Sequence, residues 1–287
     1  MAYKIFSDTG SNYTDEMAKE KNVTIIPLSF FINGKEYKSS NKQIMEEVYA
    51  ALRRKENVTT GSINTFTFEE AFTKELEKGN DIIYLAFSSG LSGTYQNAMV
   101  AKNNLEEKYP DRKIIVIDSL SATLGQGLLL TYACEFRDSG ESIEDVASFI
   151  EANKLRMSHL FTVDEMFYLY RGGRITKATY LVARFAAIKP IMHVDDEGHL
   201  QALGKVIGRK AALKKMVEMI AETIDEPEKQ YIYIAHGDCE DDAMWFKNEL
   251  DKRFKSKGIF VDYLTPVIGA HSGPGTMAIF YLSKHRI

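Results

Sequence analysis

Cysteine is scarce in this chain of 287 residues. Cys134 and Cys239 are too few and too far apart for a disulfide framework, which fits a reducing compartment. Positive charge is also in short supply: 36 Lys and Arg face 40 Asp and Glu, for a net charge of −4. Nucleic-acid binders usually carry a basic face, so no nucleic-acid partner is expected. No stretch approaches the run of about 18 uninterrupted apolar residues that a membrane span needs, and no stable membrane insertion is expected. Met1 to Asp8 lacks a secretion-signal pattern and runs directly into a strand-like segment, so a cytoplasmic location is expected. Internal repeats and low-complexity tracts are likewise missing. What is present is an ordinary globular composition, 45% hydrophobic and 26% charged, in a chain long enough for two domains with separate cores. The 16 Phe and 15 Tyr point to a generous aromatic lining.

The chain is organised around Ser88-Ser89-Gly90-Leu91-Ser92-Gly93-Thr94-Tyr95-Gln96-Asn97-Ala98. The apolar run Asp81 to Phe87 before it suits a buried parallel strand, and helical spacing follows to about Tyr109. The hydroxyls therefore fall at a strand's C-terminal end and a helix's N-terminus. Free N–H groups and the positive end of the helix dipole suit an anionic group there, a carboxylate or phosphate. The alternative is a tight turn whose serines only cap the helix.

The flanking sequence repeats this arrangement. Tyr3 to Ser7 reads as a strand, Thr14 as the N-cap of a helix to Lys21, and Val23 to Ile32 as one apolar run. Asn33-Gly34 is a hairpin signal returning through Glu36-Tyr37-Lys38. Asn41 to Lys55 is helical, with Ile44, Val48, Tyr49 and Leu52 on one stripe. Val58 to Asn64 reads as a polar loop feeding a helix from Thr65 to Lys78. A strand at Lys113 to Ile117 and helices at Ser121–Asp138 and Ser142–Arg156 complete a parallel α/β half, residues 1–158, with polar groups at the strands' C-terminal ends.

From His159 to Ile287 the texture changes. A strand Leu160–Val163, a turn or short helix Met166–Tyr170 and a basic glycine loop Arg171-Gly172-Gly173-Arg174 precede a helix from Lys177 to Phe185. A hairpin follows, Lys189–Val194 with Leu200–Val206, then a helix Arg209–Thr223, a strand Tyr231–His236, a helix Asp241–Lys255 and a strand Ile259–Leu264. The loop His271-Ser272-Gly273-Pro274-Gly275 leads to a last strand, Thr276–Leu282. The expectation is two α/β domains, the second with a mixed sheet.

Several motifs fail inspection. Gly198 to Lys205 has the wrong glycine spacing for a phosphate loop, and Val206 stands where Ser or Thr is required. Gly273 to Ala278 matches the dinucleotide pattern by letters, but a strand follows it. His236-Gly237-Asp238-Cys239 has no second pair to complete a metal site, so no metal is expected. Gly90-Leu91-Ser92-Gly93 falls one position short of the nucleophile elbow.

Five signatures in order carry a family resemblance: Ser7-Asp8-Thr9, Ser88 to Ala98, Tyr168 to Ile175, Lys189-Pro190-Ile191, and Ala270 to Gly275. With these the chain resembles the DegV family of bacterial fatty acid binding proteins, carrier subunits of a fatty acid kinase. The resemblance implies no cofactor and no catalytic residue of the chain's own. It implies instead a long-chain fatty acid bound at the interface of the two domains, its tail buried in the second, and a kinase partner that phosphorylates its carboxylate. The implied carboxylate ligands are Thr59 or Thr60, Ser92 and His271, supported by Ser89, Gly93, Gly273 and Gly275. Arg171, Arg174 and Arg209 are implied at a gate or docking surface. Thr59-Thr60-Gly61-Ser62-Ile63 departs from the family's Thr-Ser-Gln-Pro-Ser, and Ile207 stands where arginine is common. Two other readings stay open at this point, a serine-dependent acyl hydrolase using Ser92 and His271, and a binding module for a phosphorylated metabolite.

Overall fold

A computed structural model describes residues 2–38, 41–182 and 187–287. In the first half β1 (Tyr3–Asp8), β2 (Val23–Ile26), β6 (Asp81–Ala86) and β7 (Ile114–Asp118) form a parallel sheet in the order β2-β1-β6-β7. The chain moves outward in opposite directions from β1, so a crevice opens at the C-terminal ends of β1 and β6, where α/β sheets characteristically hold ligands. Asp8 is buried at this switch point. Its carboxylate accepts from the Tyr84 hydroxyl at 2.6 Å and from the N–H groups of Phe87 and Gly10 at 3.0 and 2.9 Å.

The apolar run from Val23 divides. Ser29–Ile32 forms β3 of a separate antiparallel sheet, order β4-β3-β5, with β4 (Lys35–Tyr37) and β5 (Val58–Gly61). Asn33 and Gly34 both have positive φ, 50° and 85°, as the two-residue hairpin turn demands. The expected polar loop at Val58 is thus a strand, because its backbone pairs with β3 across 26 or more residues of sequence. Helices begin where short polar side chains accept an N–H three residues on: Thr14 from Met17, Asn41 from Ile44, Asn64 from Thr67 and Ser142 from Asp145.

The second sheet has the order β10-β9-β8-β13-β11-β12, built from β8 (Met157–Thr162), β9 (Ile188–Val194), β10 (Leu200–Ile207), β11 (Tyr231–His236), β12 (Gly258–Tyr263) and β13 (Met277–Leu282). Only β11 and β12 run parallel, so the sheet is mixed. It takes up the chain at Met157, two residues before the expected boundary. Alternation assigns its faces. Leu160, Ile191, Ile232, Ile279 and Tyr281 pack under the helices Arg209–Thr223 and Glu240–Arg253, while Phe161, Met192, Tyr233, Ala278 and Phe280 face the first half. The helix expected from Lys177 to Phe185 is seen over Lys177–Val182, and 183–185 lie outside the described residues.

Helix Thr123–Asp138 is buried between the two sheets. Hydroxyls lock the seam: Thr131 Oγ1 lies 3.1 Å from both the Tyr13 and the Tyr233 hydroxyl. Arg286 adds a further tie. Its guanidinium donates to the carbonyls of Leu120 at 2.9 Å, Asp195 at 2.7 Å and Lys154, joining three segments that meet beside the cavity described next.

Candidate functional site

Between the sheets lies a cavity of about 250 Å³. Its floor is the inner face of the second sheet, where strand pairing sets Leu200, Val194, His159 and Phe280 in one row and Phe161 and Ala278 in the next. The first half contributes Leu28, Phe87, Leu91 and Ala122, so both halves supply the apolar wall. His159 is a neutral part of this floor. One ring nitrogen lies 3.1 Å from the Met157 carbonyl, the other accepts from the Ala122 N–H, and burial pushes its pKa far down.

The polar end is assembled from three separate elements. β5 brings Thr60, the turn after β6 brings Ser92 and Gly93, and helix Pro266–Ser272 brings His271. That helix replaces the expected loop at His271, since Thr265 precedes it and Pro266 occupies its first position, where proline's fixed φ fits. Thr60 Oγ1 and His271 Nε2 are 2.7 Å apart. His271 Nδ1 has no hydrogen-bond partner among the described residues and lies against Gly172, where an added methyl group would overlap it. Burial, then Arg174 and Arg171, push the imidazole pKa down to about 3, so the ring is neutral. A buried N–H without an acceptor costs more than a bare lone pair. The unpartnered Nδ1 favours the tautomer with the proton on Nε2, donated to Thr60, which leaves the Thr60 hydroxyl hydrogen free for another acceptor.

Ser92 belongs to a second hydroxyl pair. Thr94 Oγ1 accepts the Ile63 N–H at 3.4 Å and lies 2.9 Å from Ser92 Oγ, which also accepts the Thr94 N–H at 3.3 Å. The hydroxyl pair can run in either direction, and where Thr94 donates, the Ser92 hydrogen is available to a ligand. Helix Thr94–Lys108 starts at Gly93 without a side-chain cap, which adds free N–H groups and the positive dipole end.

A DegV family model matches residues 2–284. The chain belongs to the DegV family. It is 38% identical over 282 residues to a DegV domain-containing protein of Clostridium perfringens, covering 98% of this chain and 97% of that one. A Thermus thermophilus DegV family protein, described by its fatty acid binding, matches with a TM-score of 0.89 at 25% identity, covering 99% of this chain and 100% of that one. The Streptococcus pneumoniae Fatty Acid Kinase B3 protein loaded with linoleic acid has the same fold, with a TM-score of 0.86 at 22% identity and coverage of 99% and 100%.

In this DegV chain Thr60, Ser92, Gly93, Arg174 and His271 line the cavity together. Thr59 does not; alternation along β5 turns it outward, where it is exposed. Ser89 stands behind the wall, its N–H donating to Asp118 Oδ1 at 3.2 Å. Gly273 and Gly275 have φ of +80° and +79° and abut Tyr168 and Asp164, which leaves no room for a Cβ. Arg174 Nε donates to the Leu91 carbonyl at 3.1 Å, while Arg171 lies over the Phe167 and Tyr168 rings and donates to the Glu56 carbonyl at 3.0 Å. Arg209 lies off the cavity, tied to Asp242 at 2.8 Å and Asp164 at 3.7 Å. The floor residues His159, Phe161 and Phe280 were not singled out from sequence. Their signal was the two-residue alternation along strands otherwise legible, which places them on the face opposite Leu160 and Ile279.

Proposed function

We propose that the protein carries a long-chain fatty acid with its tail in the cavity, and that it presents the carboxylate to a partner ATP-dependent kinase, which converts it to an acyl phosphate. The observation that carries this reading is the 2.7 Å Thr60–His271 contact at the polar end of a largely apolar chamber. Burying a tail of about sixteen carbons is worth roughly 12 kcal/mol gross, against several kcal/mol of association cost. The carboxylate needs the opposite treatment, since a buried charge without donors is costly. The Thr60 and Ser92 hydroxyls supply donors without a strong arginine fork, leaving an oxygen lone pair for attack on phosphorus.

The Thermus thermophilus and Streptococcus pneumoniae relatives support the ligand class, and the latter's kinase name supports the partner. Phosphoryl transfer requires a magnesium clamp and a phosphate cradle. The run Gly198–Lys205 that resembles such a cradle is instead the end of a hairpin turn and the first part of β10, and the proposal assigns catalysis to the partner. Arg171 and Arg174 at the rim are the proposed contacts for it. A hydrolase is disfavoured because His271 Nε2 is engaged by Thr60 while Ser92 pairs with Thr94.

Native mass spectrometry of the purified protein is expected to show a bound fatty acid. Delipidated protein is expected to take up radiolabelled palmitate or oleate one to one and to support acyl phosphate formation when the kinase is added. A preparation that takes up neither acid would end this reading, and fluorophosphonate labelling lost in Ser92→Ala would reinstate the hydrolase.

A further inference from the structure

We infer that the cavity also shelters the acyl phosphate, slowing attack by water and other small nucleophiles on its carbonyl carbon. This rests on the carrier reading above. In hydrolysis through that carbon, the water oxygen bonds to the acyl carbon and the bond to the bridging oxygen breaks. The electron pair departs with inorganic phosphate, and a proton from the water must be accepted by a base. Hydrolytic sites hold such a base in place, an effect typically worth about 10²- to 10⁴-fold in rate.

The groups around this cavity are arranged so that none can serve. His271 has the right location, but Nε2 is spent on Thr60 and Nδ1 is closed off by Gly172. Burial and the neighbouring arginines hold its pKa near 3, too weak a base to draw a proton from water near neutrality. His159 has both nitrogens engaged by backbone. The nearby carboxylates face elsewhere. Asp8 is enclosed by the Tyr84 hydroxyl and two N–H groups, and Asp118 Oδ1 accepts the Ser89 and Leu120 N–H groups. The cavity-lining residues include no Asp or Glu among those described. The resident hydroxyls are equally quiet. Thr60 Oγ1 pairs with the weakly basic His271 and Ser92 Oγ with the Thr94 hydroxyl, neither of which can strip a proton near neutrality, so neither oxygen is activated as a nucleophile.

To test this, palmitoyl phosphate is loaded onto the intact chain, a one-to-one complex is verified by native mass spectrometry, and hydroxylamine is added at about pH 7.5 to trap attack at the carbonyl carbon. Hydroxamate is expected to form about tenfold or more slowly than from the same compound in detergent micelles. Ser62 lines the mouth and is exposed, so Ser62→Asp places a base there; in that complex the trapping rate is expected to rise at least about threefold. A wild-type rate within about twofold of the micellar rate overturns the inference. So does a Ser62→Asp complex that persists yet reacts no faster. A chain that takes palmitate but refuses palmitoyl phosphate overturns the sheltering alone, and one that takes neither overturns the carrier reading as well.

Discussion

Replacing Thr60 by valine separates the headgroup from the tail. Valine keeps the shape of threonine, so no cavity forms, but the hydroxyl that accepts from His271 Nε2 at 2.7 Å disappears. Two losses follow. The buried imidazole N–H is left unpaired, at a cost of about 1–3 kcal/mol to folding. The carboxylate loses a charged hydrogen bond, worth about 1.5–3 kcal/mol, or roughly 10- to 150-fold in affinity. The same-length fatty alcohol, which carries no charge, is expected to lose less than about fivefold, because its binding comes from the tail. Thr59→Val is the internal control. Thr59 points outward from the same strand, so its replacement is expected to change acid affinity by less than about twofold. Titration calorimetry with delipidated protein, palmitate and hexadecanol reads all of these values. Equal weakening of acid and alcohol in Thr60→Val, or a larger effect at Thr59, would refute the reasoning.

Gly172→Ala is expected to push His271 off Thr60 and mimic Thr60→Val in acid affinity while sparing the alcohol, again by calorimetry. His271 also carries a pH signature. Its folded pKa near 3 lies below the ordinary 6.5, so the unfolded chain takes up the proton first, and stability is full above about pH 6.5 and declines as pH falls towards 3. Thermal midpoints between pH 7.5 and 4.5 are expected to fall more steeply for wild type than for His271→Gln, and parallel curves would count against the buried neutral ring. Ala278→Leu fills the floor beside Phe161 and is expected to shift preference by about two methylenes towards shorter acids, roughly tenfold in a competition assay. Arg286→Met removes donors to three carbonyls and is expected to cost about 3 kcal/mol, read from the urea midpoint.

Local signals made much of this fold legible before any coordinates. Helix Arg209–Thr223 and strand Tyr231–His236 coincide with their expected bounds, and Asn33-Gly34, Thr14 and Ser142 act as turn and caps through interactions that span three or four residues. What stayed hidden depends on distant pairing. Val58-Thr59-Thr60-Gly61 looks like a loop because its hydroxyls and glycine say nothing of β3, yet that pairing decides which threonine faces the cavity. The helix bearing His271 is only seven residues long and contains Gly269, so Pro266 was the sole strong cue. Ser92, His271 and one of Thr59 and Thr60 could be named from family resemblance. The contact between Thr60 and His271, and the outward turn of Thr59, needed the folded chain.

Neither half of the molecule encloses the chamber by itself: the sheet beneath comes from the second, and the wall above is shared between the two. A guest lodged there would act as mortar between two courses of brick. Its free energy of binding must then reappear in the heat needed to melt the whole chain, by about 2.7 kcal/mol at a hundredfold excess over Kd. Batches that differ only in what they carried out of the cell would melt at different temperatures, and a melting curve would serve as a record of cargo.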